Sequence, residues 1–235
     1  VPNWICKMYL FTSMTLMCGF YAVILALDFE LYAALHAVMC AMLFDFLDGW
    51  VARKTNSVSS FGKEYDSLCD LIAFGLAPAL TAYHMIGINH SIAWLIPGIY
   101  CCAVASRLAR FNVSEVSGSI NSFQGLPCTS AGPFLMLICY FLQPYFYLQQ
   151  VSFLYLGLVV VLSYLMNSSI SYRSFKNNFR VIALKKVFWV TIMSIIVGAL
   201  LSPILTLTIV LFMYIISPVF YRVKHRLEYR RKVAS

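Results

Sequence analysis

The sequence predicts an all-α integral membrane protein of about eight transmembrane helices, on three observations. Of its 235 residues, 61% are hydrophobic and only 11% are charged, whereas a soluble domain carries about 25% charged residues. The apolar residues gather in long blocks separated by short polar stretches, the pattern of spanning helices. Every Lys and Arg also falls on one side of the alternating topology that those blocks define, as the positive-inside rule requires.

The blocks run over 5–27, 31–52, 64–86, 91–111, 129–148, 151–171, 185–201 and 203–221. At ~1.5 Å per residue, each is long enough to cross a ~30 Å hydrocarbon core. The first lacks a basic leader and a small-residue cleavage site and is expected to be a retained helix. The last two are separated only by Ser202-Pro203. With a cytoplasmic N-terminus, the inner segments hold Lys7, then Arg53, Lys54 and Lys63, then Arg107 and Arg110. The next inner segments hold Arg173, Lys176, Arg180, Lys185 and Lys186, and finally Arg222, Lys224, Arg226, Arg230, Arg231 and Lys232. That accounts for all 17 basic residues and places both termini in the cytoplasm. The net charge of +8 therefore reflects topology and attraction to anionic membrane lipids, and calls for no nucleic acid.

Other chemistries find no support. The eight cysteines form no C-x-x-C pair and mostly sit inside apolar blocks, as small buried hydrophobes do. The four histidines are scattered, and neither common glycine-rich phosphate loop occurs. Without a low-complexity linker or a clear internal repeat, one domain is the economical reading.

The acidic residues are few, and four stand together in DFLDGWVARKTNSVSSFGKEYDSLCD over residues 45–70. Asp45 and Asp48 lie three apart near the end of the second block; Asp66 and Asp70 lie four apart near the start of the third. Those spacings put side chains on one helix face with Cβ atoms ~5–6 Å apart. The connection around residues 55–60 is short and polar, so antiparallel neighbouring helices would let all four carboxylates converge. A carboxylate in a spanning helix costs ~2.5–3.5 kcal/mol at mid-membrane, and four together repel one another. Two divalent cations ~3.5–4 Å apart, clamped by shared carboxylates, would remove that cost and create a phosphate-binding site. Oxygen-only ligands select Mg²⁺, Mn²⁺ or Ca²⁺ over zinc. The plainer alternative is a solvated helix-end cluster paired with Arg53, Lys54 and Lys63. Gly49, Ala52 and Gly62 keep the approach open, and Arg53 offers a fork for phosphate oxygens.

Asp45-x2-Asp48-Gly49-x2-Ala52-Arg53-x8-Gly62-x3-Asp66-x3-Asp70 resembles, without gap or substitution, the signature of the CDP-alcohol phosphatidyltransferases. Eight fixed residues at ~5% frequency each match by chance on the order of once in 10¹⁰ starting points. The resemblance implies a six-helix membrane core, a homodimer and an active site opening at the cytoplasmic leaflet of the cell membrane. It implies that Asp45, Asp48, Asp66 and Asp70 hold two divalent cations, with Asp70 also the base. It further implies that Asp48, Gly49, Ala52, Arg53, Gly62 and Asp66 bind the CDP moiety of CDP-diacylglycerol. On this reading residues 1–221 form one transmembrane catalytic domain and 222–235 a basic cytoplasmic tail.

The signature does not name the acceptor alcohol. Further along, EYDSLCDLIAFGLAPA around Asp70, Arg107-Leu108-Ala109-Arg110-Phe111-Asn112, Phe123-Gln124-Gly125-Leu126-Pro127, Leu165-Met166 and Ser174-Phe175-Lys176 are similar to the bacterial and archaeal phosphatidylserine synthases of this fold. The match departs at Cys128-Thr129-Ser130, where another proline and small apolar residues are expected, and at Ser171, where a basic residue is expected before Tyr172. This resemblance implies L-serine as acceptor, with Arg107, Arg110, Asn112 and Lys176 as candidates for its carboxylate or for phosphate. The competing account of the two arginines is that both are interfacial topology anchors. Rival functions are transfer to glycerol 3-phosphate or inositol phosphate, which call for a denser basic pocket, and divalent-cation transport. Transporters place such carboxylates near the midplane on repeated, broken helices, and no second copy is seen here.

Overall fold

A computed structural model describes residues 3–55, 59–86, 93–116, 123–145, 148–168, 170–172, 198 and 200–233. The chain divides into two compact units, Val1–Ile120 with Leu126–Ser168, and Asn121–Gly125 with Ser169–Ser235. The first is wholly helical among its described residues.

In the first unit, α1 (Asn3–Leu27) and α2 (Leu31–Thr55) form a helical hairpin. The turn between them closes with the Glu30 N–H donating to Leu25 O at 2.8 Å. Phe29 sits there at φ 62°, a left-handed position that glycine usually fills. Small side chains at the hairpin seam, Ala22, Ala26, Ala34 and Ala41, are fully buried and let the two backbones approach closely.

The third rod runs unbroken over residues 60–86 but changes its winding. α3 (Ser60–Asp70) starts four residues before the expected block because Ser59 caps it, its Oγ accepting from the Gly62 N–H at 3.0 Å. A π-helical turn over Leu71–Leu76 follows, and then α4 (Ala77–Ile86). Pro78 supplies the cause. It has no N–H for Phe74 O, one turn back, and its ring would collide with that carbonyl in regular α winding. The displaced Phe74 O accepts instead from the buried Tyr100 hydroxyl at 3.2 Å. Two glycines seat this turn. A Cβ on Gly132 would lie 2.7 Å from Phe74 O, and one on Gly19 would lie 2.7 Å from Ala73 Cα.

α5 (Leu95–Val116), α6 (Cys128–Leu142, extended by a 3₁₀ turn Gln143–Tyr145) and α7 (Gln149–Asn167) complete six helical rods. Tyr155, Val159, Leu162 and Met166 of α7 are buried, and the Tyr155 hydroxyl donates to Leu135 O at 2.9 Å. α7 stops four residues short of the expected block. Arg110 donates from Nη1 to Asn167 O (3.0 Å) and from Nη2 to Met166 O (3.1 Å), closing the helix end.

The second unit contains a two-residue antiparallel ladder, β1 (Phe123–Gln124) with β2 (Ser171–Tyr172), in the register Phe123↔Tyr172. Gly125, at φ 82°, turns the chain out of it. The unit ends in α8 (Pro203–Val233). The expected 203–221 block is thus helical, and the helix continues through most of the segment read as a tail. The expected 185–201 block lies outside the described residues except for 198, 200 and 201.

Among the described residues, four helical stretches are long and apolar enough to cross a membrane: Tyr9–Leu27, Leu31–Thr55, Ser60–Ile86 and Gln149–Asn167. Pro203–Pro218 is apolar but shorter. α5 carries two arginines and α6 is only 15 residues long, so neither qualifies on length and composition. Large apolar side chains face outward along these rods, among them Met17, Phe20, Phe46 and Tyr164, the last 72% exposed. That inverted surface is what a lipid environment calls for.

Candidate active site

The hairpin of α2 with the start of α3 brings the acidic residues together. Carboxylate oxygens of Asp45, Asp48 and Asp66 all lie within 4.8 Å of one another. Asp70, one turn along α3, is buried and within electrostatic reach of all three, and of Arg107. Asp48 Oδ2, Asp66 Oδ1 and Asp70 Oδ1 are buried and accept no hydrogen bond. Lone pairs left so in a dry interior are costly. Asp45, Asp48 and Asp66 fit a hard divalent cation, because the donor set is oxygen only and their ligand atoms lie together. Of the cations that could pair with the cluster, Lys54 holds its ammonium 4.7 Å from the centre of the Trp50 ring, Arg53 acts electrostatically on Asp45 and Asp48, and Lys63 lines the same cleft as Asp48 and Asp66.

A cleft opens beside the cluster, lined by Thr12, Asp48, Gly49, Ala52, Ser59, Gly62, Lys63 and Asp66. Three of its walls are the small residues singled out from sequence. A Cβ on Gly49 would meet Arg53 Nη1 at 3.3 Å, so the guanidinium folds over that glycine at the edge of the cleft. The cleft also lies at the N-terminus of α3, where the helix dipole favours phosphate. Thr12 and Ser59 were not foreseen, and Lys63 enters as a cleft wall beside the carboxylates it could pair with. Thr12 comes from α1, more than thirty residues from the motif, and no local spacing could reveal it. The Ser59 cap could have been read as the serine preceding a helix start.

The acceptor candidates divide. Arg107 is buried; its Nη1 donates to Cys128 Sγ at 3.4 Å, and the Cys128 thiol points to Asp70 Oδ2 at 3.8 Å. Arg110 is engaged with the end of α7, as described above. Asn112 donates to Glu64 Oε2 at 3.2 Å and lies 3.0 Å from Ser67 Oγ, tying α5 to α3. Lys176 and the side chain of Tyr172 lie outside the described residues. Among the described candidates, Arg107 is therefore the one linked to Asp70.

Carboxylates from two neighbouring helices thus stand beside a glycine-walled cleft, with a buried arginine within electrostatic reach of Asp70. The family model for CDP-alcohol phosphatidyltransferases matches residues 2–166, and the chain belongs to that family of phosphotransferases. The match ends within α7, so it covers the six rods that carry the site.

Relatives sharpen the comparison. A Helicobacter pylori protein named CDP-diacylglycerol–serine O-phosphatidyltransferase is 37% identical over 169 residues, 71% of each chain. A Bacillus subtilis protein of the same name is 33% identical over 168 residues, 68% of this chain and 86% of its own. The archaetidylserine synthase of Methanothermobacter thermautotrophicus is 38% identical over 157 residues, 66% of this chain and 64% of its own.

Proposed function

We propose that the protein transfers the phosphatidyl group of CDP-diacylglycerol to the hydroxyl of L-serine, giving phosphatidylserine and CMP. The observation that carries this reading is the joining of the Asp45–Asp48–Asp66 cluster, through Asp70 and Cys128, to one buried arginine. Serine as the acceptor follows the names of the relatives, all of which act on serine or make a seryl lipid.

The lipid enters sideways with its acyl chains in the bilayer, and its CDP group lies in the cleft. Gly49, Ala52 and Gly62 let the nucleotide approach the backbone, the start of α3 faces the diphosphate, and Arg53 closes over the rim. Asp45, Asp48, Asp66 and Asp70 would hold two divalent cations, Mg²⁺ or Mn²⁺, which when bound would neutralise charge on the diphosphate and on the CMP leaving group. Arg107 holds the serine carboxylate. Asp70 takes the proton from the serine hydroxyl as its oxygen bonds to the diacylglycerol-linked phosphorus. The bond from that phosphorus to the CMP oxygen breaks, and CMP leaves with the electron pair. The site faces the cytoplasmic leaflet of the cell membrane, both termini lie inside, and the enzyme works as a homodimer.

The test is CMP release by purified protein in lipid vesicles supplied with CDP-diacylglycerol and Mg²⁺ or Mn²⁺. The acceptors are serine, glycerol 3-phosphate, inositol 1-phosphate or none. Serine-dependent release, abolished by chelator and by Asp66→Asn, is expected. Release only with a phosphorylated acceptor would keep the fold and the cluster but overturn serine. No release with any acceptor would return ion transport to consideration. Full turnover by Asp70→Asn would remove Asp70 as the base.

A further inference from the structure

We propose that Cys128 is a positioning residue that holds Arg107 and Asp70 apart at the spacing of the acceptor's carboxylate and hydroxyl. This rests on the serine reading above and deepens it. A guanidinium and a carboxylate facing one another in a dry interior attract strongly and favour a direct, two-pronged pair. Here they do not form one. The thiol of Cys128, 1% exposed at the start of α6, stands between them. It accepts from Arg107 Nη1 at 3.4 Å and points its own hydrogen at Asp70 Oδ2, 3.8 Å away.

The outcome is two unused groups on either side of one sulfur. Arg107 is 7% exposed and its Nε has no partner; Asp70 is 6% exposed and its Oδ1 has none. A buried N–H and a buried carboxylate oxygen left idle are both costly, and each calls for a ligand. The complementary molecule carries a carboxylate for Nε and, a short spacer away, a hydroxyl to donate to Asp70. A small hydroxy amino acid has that shape. A dianionic phosphate calls for a denser basic site, and the two Arg110 donors are committed to the α7 carbonyls. Cysteine suits the spacer role because a neutral thiol is a weak donor and a weak acceptor. It bridges the two charges without replacing either ligand.

The experiment compares Cys128→Ser, Cys128→Val and Cys128→Ala in the full chain in lipid vesicles, with KM for serine and for CDP-diacylglycerol measured separately. Val removes the donor and acceptor between the two charges, and Ala also opens the gap through which Arg107 can collapse onto Asp70, so serine KM is expected to rise about tenfold or more in both. The KM for CDP-diacylglycerol should stay put, because Cys128 lies outside the nucleotide cleft. Ser restores both donor and acceptor and should keep serine KM close to that of the parent. A packing role predicts the opposite order, with apolar Val tolerated and polar Ser not, and that order would overturn the inference. So would an unchanged serine KM in both Val and Ala. If Val disrupts folding, Ala carries the same expectation without added bulk. Failure of the unsubstituted protein to release CMP with serine would bring down the functional reading itself, which is a different result from an indifferent Cys128.

Discussion

The two sides of the carboxylate cluster are built in opposite ways. On one side is an open cleft whose walls are glycine, alanine, threonine and serine, and whose geometry comes from helix spacing within residues 45–70. On the other is a closed layer where Asp70, Cys128 and Arg107 meet across three helices beside a π-helical turn. The open side presents its chemistry at a cleft wall, although Asp48 and Thr12 are themselves buried. The closed side couples chemistry to packing, so the same substitution there acts on both.

The sharpest way to break this contrast is to exchange one carboxylate on the open side. Asp48→Asn should lower CMP release by at least ~100-fold, since a cation and the diphosphate both depend on it. In chelator the same variant should melt no lower than the parent, and higher if repulsion among the carboxylates dominates. A large fall in its thermal midpoint in chelator would show that the open side also holds the fold together.

On the closed side Gly132→Ala should do the reverse. Its Cβ would lie 2.7 Å from Phe74 O, so backbone must shift. Overpacking of this kind costs about 1–3 kcal/mol. A lowered unfolding midpoint in detergent is expected, with activity lost in step as Asp70 at the head of the π turn is displaced. An unchanged midpoint would mean that α6 and the π turn are not rigidly seated.

The smallest effect separates the two arginines. Arg110→Gln removes two donors from the end of α7 and should lower stability by roughly 1 kcal/mol. Arg107→Gln should raise serine KM at least ~10-fold more than Arg110→Gln does. Equal effects on serine KM would place both guanidinia at the acceptor.

What the sequence made legible follows the same division. Of the four carboxylates expected to converge, Asp45, Asp48 and Asp66 lie within 4.8 Å of one another and Asp70 stands outside that group, while Gly49, Ala52 and Gly62 line the cleft. Such arithmetic works wherever one hairpin supplies every part. It fails at Thr12, which reaches the cleft from α1, and at Cys128, which reads as a small buried hydrophobe until Arg107 reaches it from α5. Arg107 and Arg110 are three residues apart on one helix, yet one turns to Asp70 and the other to α7. Only the neighbouring helices distinguish them. Helix limits shifted for local reasons that were partly visible, the Ser59 cap at one end and the Arg110 closure at another. Pro78 announced a fault in the third rod, but the proline alone does not say whether the helix kinks, breaks or widens.

That widened turn restricts how the gene can vary in length. A π turn is an α-helix with one residue to spare, so the flanking α segments keep the facing they would have without it. Losing that residue would leave Ala77–Ile86 facing as it does, but would bring the Pro78 ring back against the carbonyl one turn before it. A deletion elsewhere in the rod has no spare residue to draw on and would rotate everything downstream by ~100°. Thr81 would then lose its place 3.1 Å from Met136 Sδ. Changes of length should therefore be purged more strictly on either side of the turn than within it.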